Sequence, residues 1–187
     1  MSKDFAFSRK STRLQNWNYG WEGLYFVTIN TRFGENFFGD FIDNKIVLND
    51  IGLEVSKQWL QTPSLRPDMN IQLDEFIVMP NHFHGIIGIG KNEFNRFLES
   101  SSTLGNINEK ESQRQNSFSP QRKNLGSIMR GFKSSVTSWC IKNHKLFDWH
   151  TRYHDILIKD EKCLFKIRNY IRNNPINWHR DRFKIKT

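Results

Sequence analysis

The chain has 187 residues, with 28 Lys and Arg against 19 Asp and Glu for a formal net charge of +9, and 14% of it is aromatic. That length supports one domain with a core built largely from rings, and the charge points to nucleic acid or another anionic surface, or simply to a soluble basic protein. No apolar run is long enough to span a membrane, "MSKDFAFSRK" has no apolar signal core, and Cys140 and Cys163 form no CxxC pair, so a disulfide framework is excluded and the cytoplasm is the expected compartment.

In chain order, residues 1–19 read as a basic arm bearing Arg9, Lys10 and Arg13, ahead of a single domain over 20–182 and a short basic tail over 183–187. "LYFVTINT" (24–31) is rich in β-branched and aromatic residues and predicts a buried strand. "NFFGDFIDNKIVLN" (36–49) predicts two short strands around a turn at Asp43-Asn44. Asn49 or Asp50 then caps a helix over about 51–60, with Ile51, Val55 and Trp59 at four-residue spacing. "IQLDEFIVM" (71–79) and "HFHGIIGI" (82–89) read as two strands of a hairpin interrupted at Pro80-Asn81.

Residues 91–121 are rich in Ser, Asn, Gln and Glu with few apolar anchors, and are expected to be a flexible insertion within the domain. A helix follows, its stripe formed by Leu125, Ile128, Met129, Phe132, Val136 and Trp139. Arg130, Lys133 and Lys142 lie off that stripe, to touch phosphate or to be solvated. "RYHDILI" (152–158) predicts a further strand, and Asp160 caps a helix to about Asn173, which Pro175 is expected to stop at Asn174. This order predicts an α+β fold: a small antiparallel sheet with helices packed on one face.

In an extended segment, side chains two apart share a face. His82 and His84 would then aim together, as a metal-binding pair. The alternative for an HxH pair is one buried, hydrogen-bonded histidine and one exposed. On the last helix Leu164, Ile167 and Ile171 form the apolar stripe, and Tyr170 and Asn174 border it one turn apart. If that stripe packs on the histidine-bearing face, two imidazoles, an amide oxygen and a phenol meet: Asn174 as a neutral ligand and Tyr170 as a nucleophile. Otherwise Tyr170 is an amphipathic residue at a core edge.

Here a resemblance enters. "MPNHFHGII" is similar to the His-hydrophobe-His (HUH) motif of single-tyrosine transposases, and "IRNYIRNNPINW" resembles their tyrosine helix. "YFVTINT", "LGSIMRGFKSSVT" and "WHTRYHDILIKDEKCLFKIRNYI" fit the same pattern in the same order, closest to REP-associated tyrosine transposases. The resemblance implies a ferredoxin-like, RNA-recognition-motif-like sheet with the histidine pair on a central strand. It also implies a metal-dependent endonuclease and strand-transferase acting on single-stranded DNA at hairpin-bearing sites, through a 5′-phosphotyrosine link. The implied roles fall on Tyr170 as nucleophile and on His82 and His84 as ligands of Mg²⁺ or Mn²⁺. Asn174 takes the position where the family often has Gln.

The covalent link conserves the bond energy, so rejoining needs no ATP, and the chain has no GxxxxGK[ST]. Arg130, Lys133, Arg168 and Arg172 are the expected contacts to the DNA backbone, and Arg9, Lys10 and Arg13 of the arm are expected to reach a hairpin stem or flanking bases. The implied setting is a prokaryotic cytoplasm, at the nucleoid, as monomer or homodimer. Two alternatives stand beside this reading. One is a hairpin-binding protein that does not cleave. The other is an unrelated metal hydrolase using the His82–His84 pair, with His150, His154 and Asp155 as possible further ligands.

Overall fold

The structure, a computed structural model, describes residues 17–95 and 123–180. Most of the basic arm, with Arg13, the bulk of the 91–121 insertion and the 183–187 tail lie outside the described residues. The elements are strand β1 (Gly23–Thr31), the hairpin β2 (Gly39–Ile42) and β3 (Lys45–Leu48), helix α1 (Asp50–Leu65), strands β4 (Ile71–Met79) and β5 (His82–Ile89), helix α2 (Leu125–Lys142), strand β6 (Trp149–Ile158) and helix α3 (Glu161–Asn173). A 3-10 segment, Pro175–Arg180, follows α3.

Four strands form one antiparallel sheet in the order β4-β5-β1-β6. Two β-α-β crossovers interleaved in this way give the ferredoxin-like α+β fold. The second, two-stranded sheet is the β2–β3 hairpin. Its turn residues Asp43 (φ 49) and Asn44 (φ 60) both take the left-handed backbone that a tight hairpin with right-handed strand twist requires.

Local chemistry explains the element ends. Asn49 Oδ1 accepts from the backbone N–H of Ile51 and Gly52, satisfying two orphan donors of α1. That helix runs to Leu65, past the expected end near 60, with Pro63 in its last turn. Asn124 and Ser127 form a reciprocal capping box at the start of α2. Asp160 accepts from the Cys163 N–H at 2.7 Å to start α3. Strand β6 begins at Trp149, three residues earlier than the sequence pattern indicates, because Trp149 is buried against Phe38, Phe132 and Phe147.

Helix α3 ends at Asn173 as expected, but the backbone at Asn174 differs from expectation. Asn174 precedes a proline yet keeps helical angles (φ −58, ψ −44). Its N–H donates to the Ile171 carbonyl at 3.2 Å, an i to i−3 bond. The chain tightens from α to 3-10 geometry, and Pro175 enters as the first residue of the new turn, where its missing N–H is tolerated.

The helices divide between the two faces, which is the one departure from the expected layering. Helices α1 and α2 pack on a face carrying Tyr25, Val27, Ile29, Phe83 and Ile87, with the Trp59 and Phe132 rings tilted against Phe83 and Trp149 tilted against Phe132. A Cβ on Gly85 would lie 2.7 Å from Trp59 Cζ2 and 2.8 Å from the Phe83 ring, so glycine at this position is what lets the indole reach the sheet. Helix α3 covers the other face through a smaller cluster of Phe26, Ile86, Ile158, Leu164 and Ile171. One-face packing therefore describes α1 and α2 only. Strand β5 is central and buried on both sides, so both of its faces need a cover.

Candidate functional site

The alternation of β5 decides where its side chains go. Phe83 points into the aromatic core, so His82 and His84 point to the α3 side. Both imidazoles are buried, at 0% and 1% exposure, which rules out the reading of one inside and one outside. Their ring centroids are 4.6 Å apart.

Each ring is held at Nδ1. Asn81 Nδ2 donates to the Gly34 carbonyl at 3.0 Å, which turns its Oδ1 to His82 Nδ1 at 2.7 Å. An amide oxygen only accepts, so His82 carries its proton on Nδ1 and presents a basic Nε2. His84 Nδ1 meets the Thr28 hydroxyl at 2.9 Å. Oriented imidazoles of this kind, each fixed by a partner behind the ring, are the usual form of metal-ligating histidines.

Tyr170 closes the site from α3. Its hydroxyl lies 3.3 Å from His84 Nε2. Phe26 stacks on the His84 ring at 5.3 Å and meets the Tyr170 ring edge-on at 6.0 Å, which fixes the angle at which the phenol arrives. Tyr170 remains 45% exposed, whereas the imidazoles behind it are buried. Tyr25, by contrast, is fully buried on the opposite face, where burial raises its phenol above the ordinary value.

Asn174, one turn beyond Tyr170, is buried, and its Oδ1 accepts no hydrogen bond from the described residues. A buried carbonyl oxygen without a donor costs free energy unless something else meets it. Among the described residues no group of three or more His, Cys, Asp or Glu is gathered. Two imidazoles with an amide oxygen are a donor set whose chemistry fits a divalent ion such as Mn²⁺. Trp178, from the 3-10 segment, stacks over His82 at 6.3 Å and an interplanar angle of 21°.

His154 shares the sheet face of His84 across Thr28, but the further ligands of the alternative hydrolase reading form no group of three or more His, Cys, Asp or Glu among the described residues. Register pairs His154 with Thr28 and Asp155 with Val27, so the two point to opposite faces, and His150 is exposed at the start of β6.

The expected DNA contacts fall into different places. Arg130 is exposed and Lys133 part-buried on α2, in the layer behind the sheet from Tyr170. The Lys133 ammonium donates to the carbonyls of His150 (2.8 Å) and Thr151 (3.4 Å), and burial lowers its pKa. It ties α2 to the start of β6. Arg168 and Arg172 lie beside the site but are committed to carboxylates of β4, Arg168 to Asp74 and Arg172 to Glu75. Arg13 lies outside the described residues.

No protein-family profile matches the chain. Over 184 residues it is 39% identical to an uncharacterized protein of Haemophilus influenzae, a match covering 95% of this chain and 93% of that one. The chain belongs to the family of that protein. Among solved structures it is similar to a REP-associated tyrosine transposase bound to a REP hairpin, with a TM-score of 0.53 and 16% identity over 90% of this chain and 74% of that chain. At this identity the likeness shows a shared fold, the α+β fold that the motif resemblance implies.

Several residues of the site escape the sequence reading. Thr28 has a signal in hindsight: it alternates with the buried Val27 and Ile29 and so belongs to the other face. Asn81 reads as a turn residue, yet it orients His82. Trp178 stands four residues after Asn174 and eight after Tyr170, a helical row that the proline hides. Asp74 and Glu75 carry no signal in a strand pattern.

Proposed function

We propose that this protein is a metal-dependent endonuclease and strand-transferase for single-stranded DNA, acting at hairpin-bearing sites through a 5′-phosphotyrosine intermediate. The observation that carries the reading is the Tyr170 hydroxyl, 3.3 Å from His84 Nε2 and at the solvent edge of a buried imidazole pair. The REP hairpin bound by the fold neighbour supports a hairpin as the partner.

His82, His84 and Asn174 would hold a divalent ion, which when bound polarises the phosphoryl oxygen and offsets the charge that develops on it. The chain's own residues do the rest. Phe26 and the α3 packing aim the phenol. Tyr170 Oη forms a bond to phosphorus as the bond from phosphorus to the 3′ oxygen breaks. The phenolic proton leaves to solvent at the exposed edge, and the departing 3′ oxygen takes one up. Reversal by a second 3′ hydroxyl rejoins the strand without ATP. The strand has room to lie beside α3, where His154 and Ile156 of β6 are exposed on the same sheet face.

The test is incubation of the protein with a labelled hairpin oligonucleotide and Mn²⁺, followed by denaturing electrophoresis. The expected result is a covalent adduct that EDTA abolishes and that Tyr170→Phe lacks, while hairpin affinity stays within about twofold of wild type. An adduct of normal yield from Tyr170→Phe would remove the nucleophile from the reading. The burial of both imidazoles favours one competing reading, a hairpin-binding protein that does not cleave. Tight hairpin binding that is indifferent to EDTA and yields no adduct would decide for it.

A further inference from the structure

Strand β4 carries two acidic residues in succession, Asp74 and Glu75, and in a regular strand they would point to opposite faces. Here they do not. The pairing with β5 shifts between Leu73↔Ile87 and Phe76↔Gly85, so one extra residue is accommodated on β4. This is a β-bulge, a device that re-aims side chains. Both carboxylates consequently reach α3. Arg168 Nε donates to Asp74 Oδ1 at 3.0 Å with its Nη2 on Oδ2, and Arg172 Nε donates to Glu75 Oε1 at 3.1 Å. The Asp74 carboxylate also accepts the Glu75 N–H, which stiffens the bulge itself.

The helical wheel gives these pairs a task. Leu164, Ile167 and Ile171 form the buried stripe of α3. At about 100° per residue, Arg168 and Arg172 border the stripe on one side and Tyr170 on the other. The helix is thus gripped at the sheet edge by two arginines one turn apart, and presents its phenol toward the sheet centre. The apolar stripe alone is a poor guide to rotation about the helix axis, because hydrophobic contact is not directional. The Tyr hydroxyl stands about 9 Å from that axis, so a roll of about 20° would displace it by about 3 Å. Such a shift removes the His84 contact. Half-exposed ion pairs contribute little to stability, so two arginine–carboxylate pairs on a bulge, each with two guanidinium donors, are better explained by orientation than by strength.

We propose that the Asp74–Arg168 and Glu75–Arg172 pairs set the roll of α3, making these four side chains positioning residues for the Tyr170 hydroxyl. The inference rests on the reading of Tyr170 as nucleophile only for its effect on cleavage. Its structural content is independent of that reading.

The experiment uses the full chain with Asp74→Asn and Glu75→Gln combined. Without DNA, ¹⁵N spectra of the His84 imidazole report the phenol contact, with Tyr170→Phe as the reference for its loss. The double variant is expected to move the His84 shifts toward the Tyr170→Phe values. With hairpin DNA and Mn²⁺, single-turnover adduct formation is expected to slow by about 10- to 100-fold at unchanged hairpin affinity, the scale of a misplaced reacting group. Arg168→Lys with Arg172→Lys keeps the charges, loses the fork and should fall between. It also serves as the test should the acidic variant fail to fold. Wild-type His84 shifts in whichever of these variants folds would overturn the proposal. A wild-type protein that forms no adduct would instead overturn the functional reading and leave the spectroscopic arm to decide the latch.

Discussion

Strand β5 has two faces, and they are built to different ends. Phe83, Gly85 and Ile87 look toward α1 and α2, into a layer that includes Trp59, Phe132 and Trp149. His82, His84 and Ile86 look toward α3, where a short apolar cluster shares the space with two oriented imidazoles and a phenol. The first face is a large area of close-packed rings, the dominant favourable term in folding. The second buries polar atoms whose desolvation is offset only by designated partners. Under the proposed function, stability is concentrated on one side of a single strand and reactivity on the other, so adjacent residues should answer mutation in opposite ways.

Neighbouring substitutions give the largest test of that division. Phe83→Ala removes a ring packed against Trp59, Phe76 and Phe132, and is expected to cost about 3–5 kcal/mol. In a chain of this length each kcal/mol shifts Tm by roughly 2–4 °C. His84→Ala is expected to cost only about 1–2 kcal/mol, since water can enter beside the exposed Tyr170 and meet the Thr28 hydroxyl. Its loss of metal-dependent adduct should nonetheless be on the order of 10³-fold or more. Thermal unfolding and adduct assays on the two variants measure both columns. If His84→Ala unfolds as readily as Phe83→Ala, the α3 face is ordinary core and the division fails.

The same contrast explains what the sequence makes legible. The aromatic face is read easily: strands, hairpin turn and amphipathic helices follow from local periodicity, and Asn49, Asn124 and Asp160 mark helix starts through chemistry confined to a few residues. The pairing of His82 with His84 is equally local, because alternation along a strand is fixed by the backbone. What the pattern misses is non-local or irregular. The face taken by α3 depends on burying both sides of β5, which no window of sequence displays. The commitment of Arg168 and Arg172 to Asp74 and Glu75 depends on a bulge that breaks period-two alternation. Lys133 illustrates the same limit: off its helix stripe it reads as a surface charge, yet Trp149 and two carbonyls of β6 enclose it.

A smaller effect sharpens the polar side of the comparison. Thr28→Val keeps the volume and shape of the side chain while removing the hydroxyl that meets His84 Nδ1 at 2.9 Å. If the hydroxyl orients a metal ligand, Mn²⁺ affinity should fall by about 10- to 100-fold, with hairpin affinity in EDTA unchanged. Calorimetric titration with Mn²⁺ reads this directly, without any cleavage step. Unchanged Mn²⁺ affinity would mean that packing by Phe26 alone holds the ring.

The smallest expected effect concerns the border between the two regimes, where α3 meets the edge strand. The hydrogen bond from Arg168 holds the Asp74 carboxyl below its ordinary value of 3.8, with burial opposing and the Glu75 N–H and Arg172 adding to the depression. A carboxylate depressed in the folded state contributes stability above its unfolded pKa and loses it as pH falls through the folded one. The contribution of Asp74 should therefore be complete at neutral pH and decay below about pH 4. Because both partners are partly exposed, its size is under about 1 kcal/mol and diminished by salt. Urea unfolding of wild type and Asp74→Asn, compared at pH 7 and pH 3, should show a gap at the higher pH that closes at the lower. A gap that persists at pH 3 would mean the asparagine is harmful for its geometry, and that the bulge itself, rather than its charge, secures the helix.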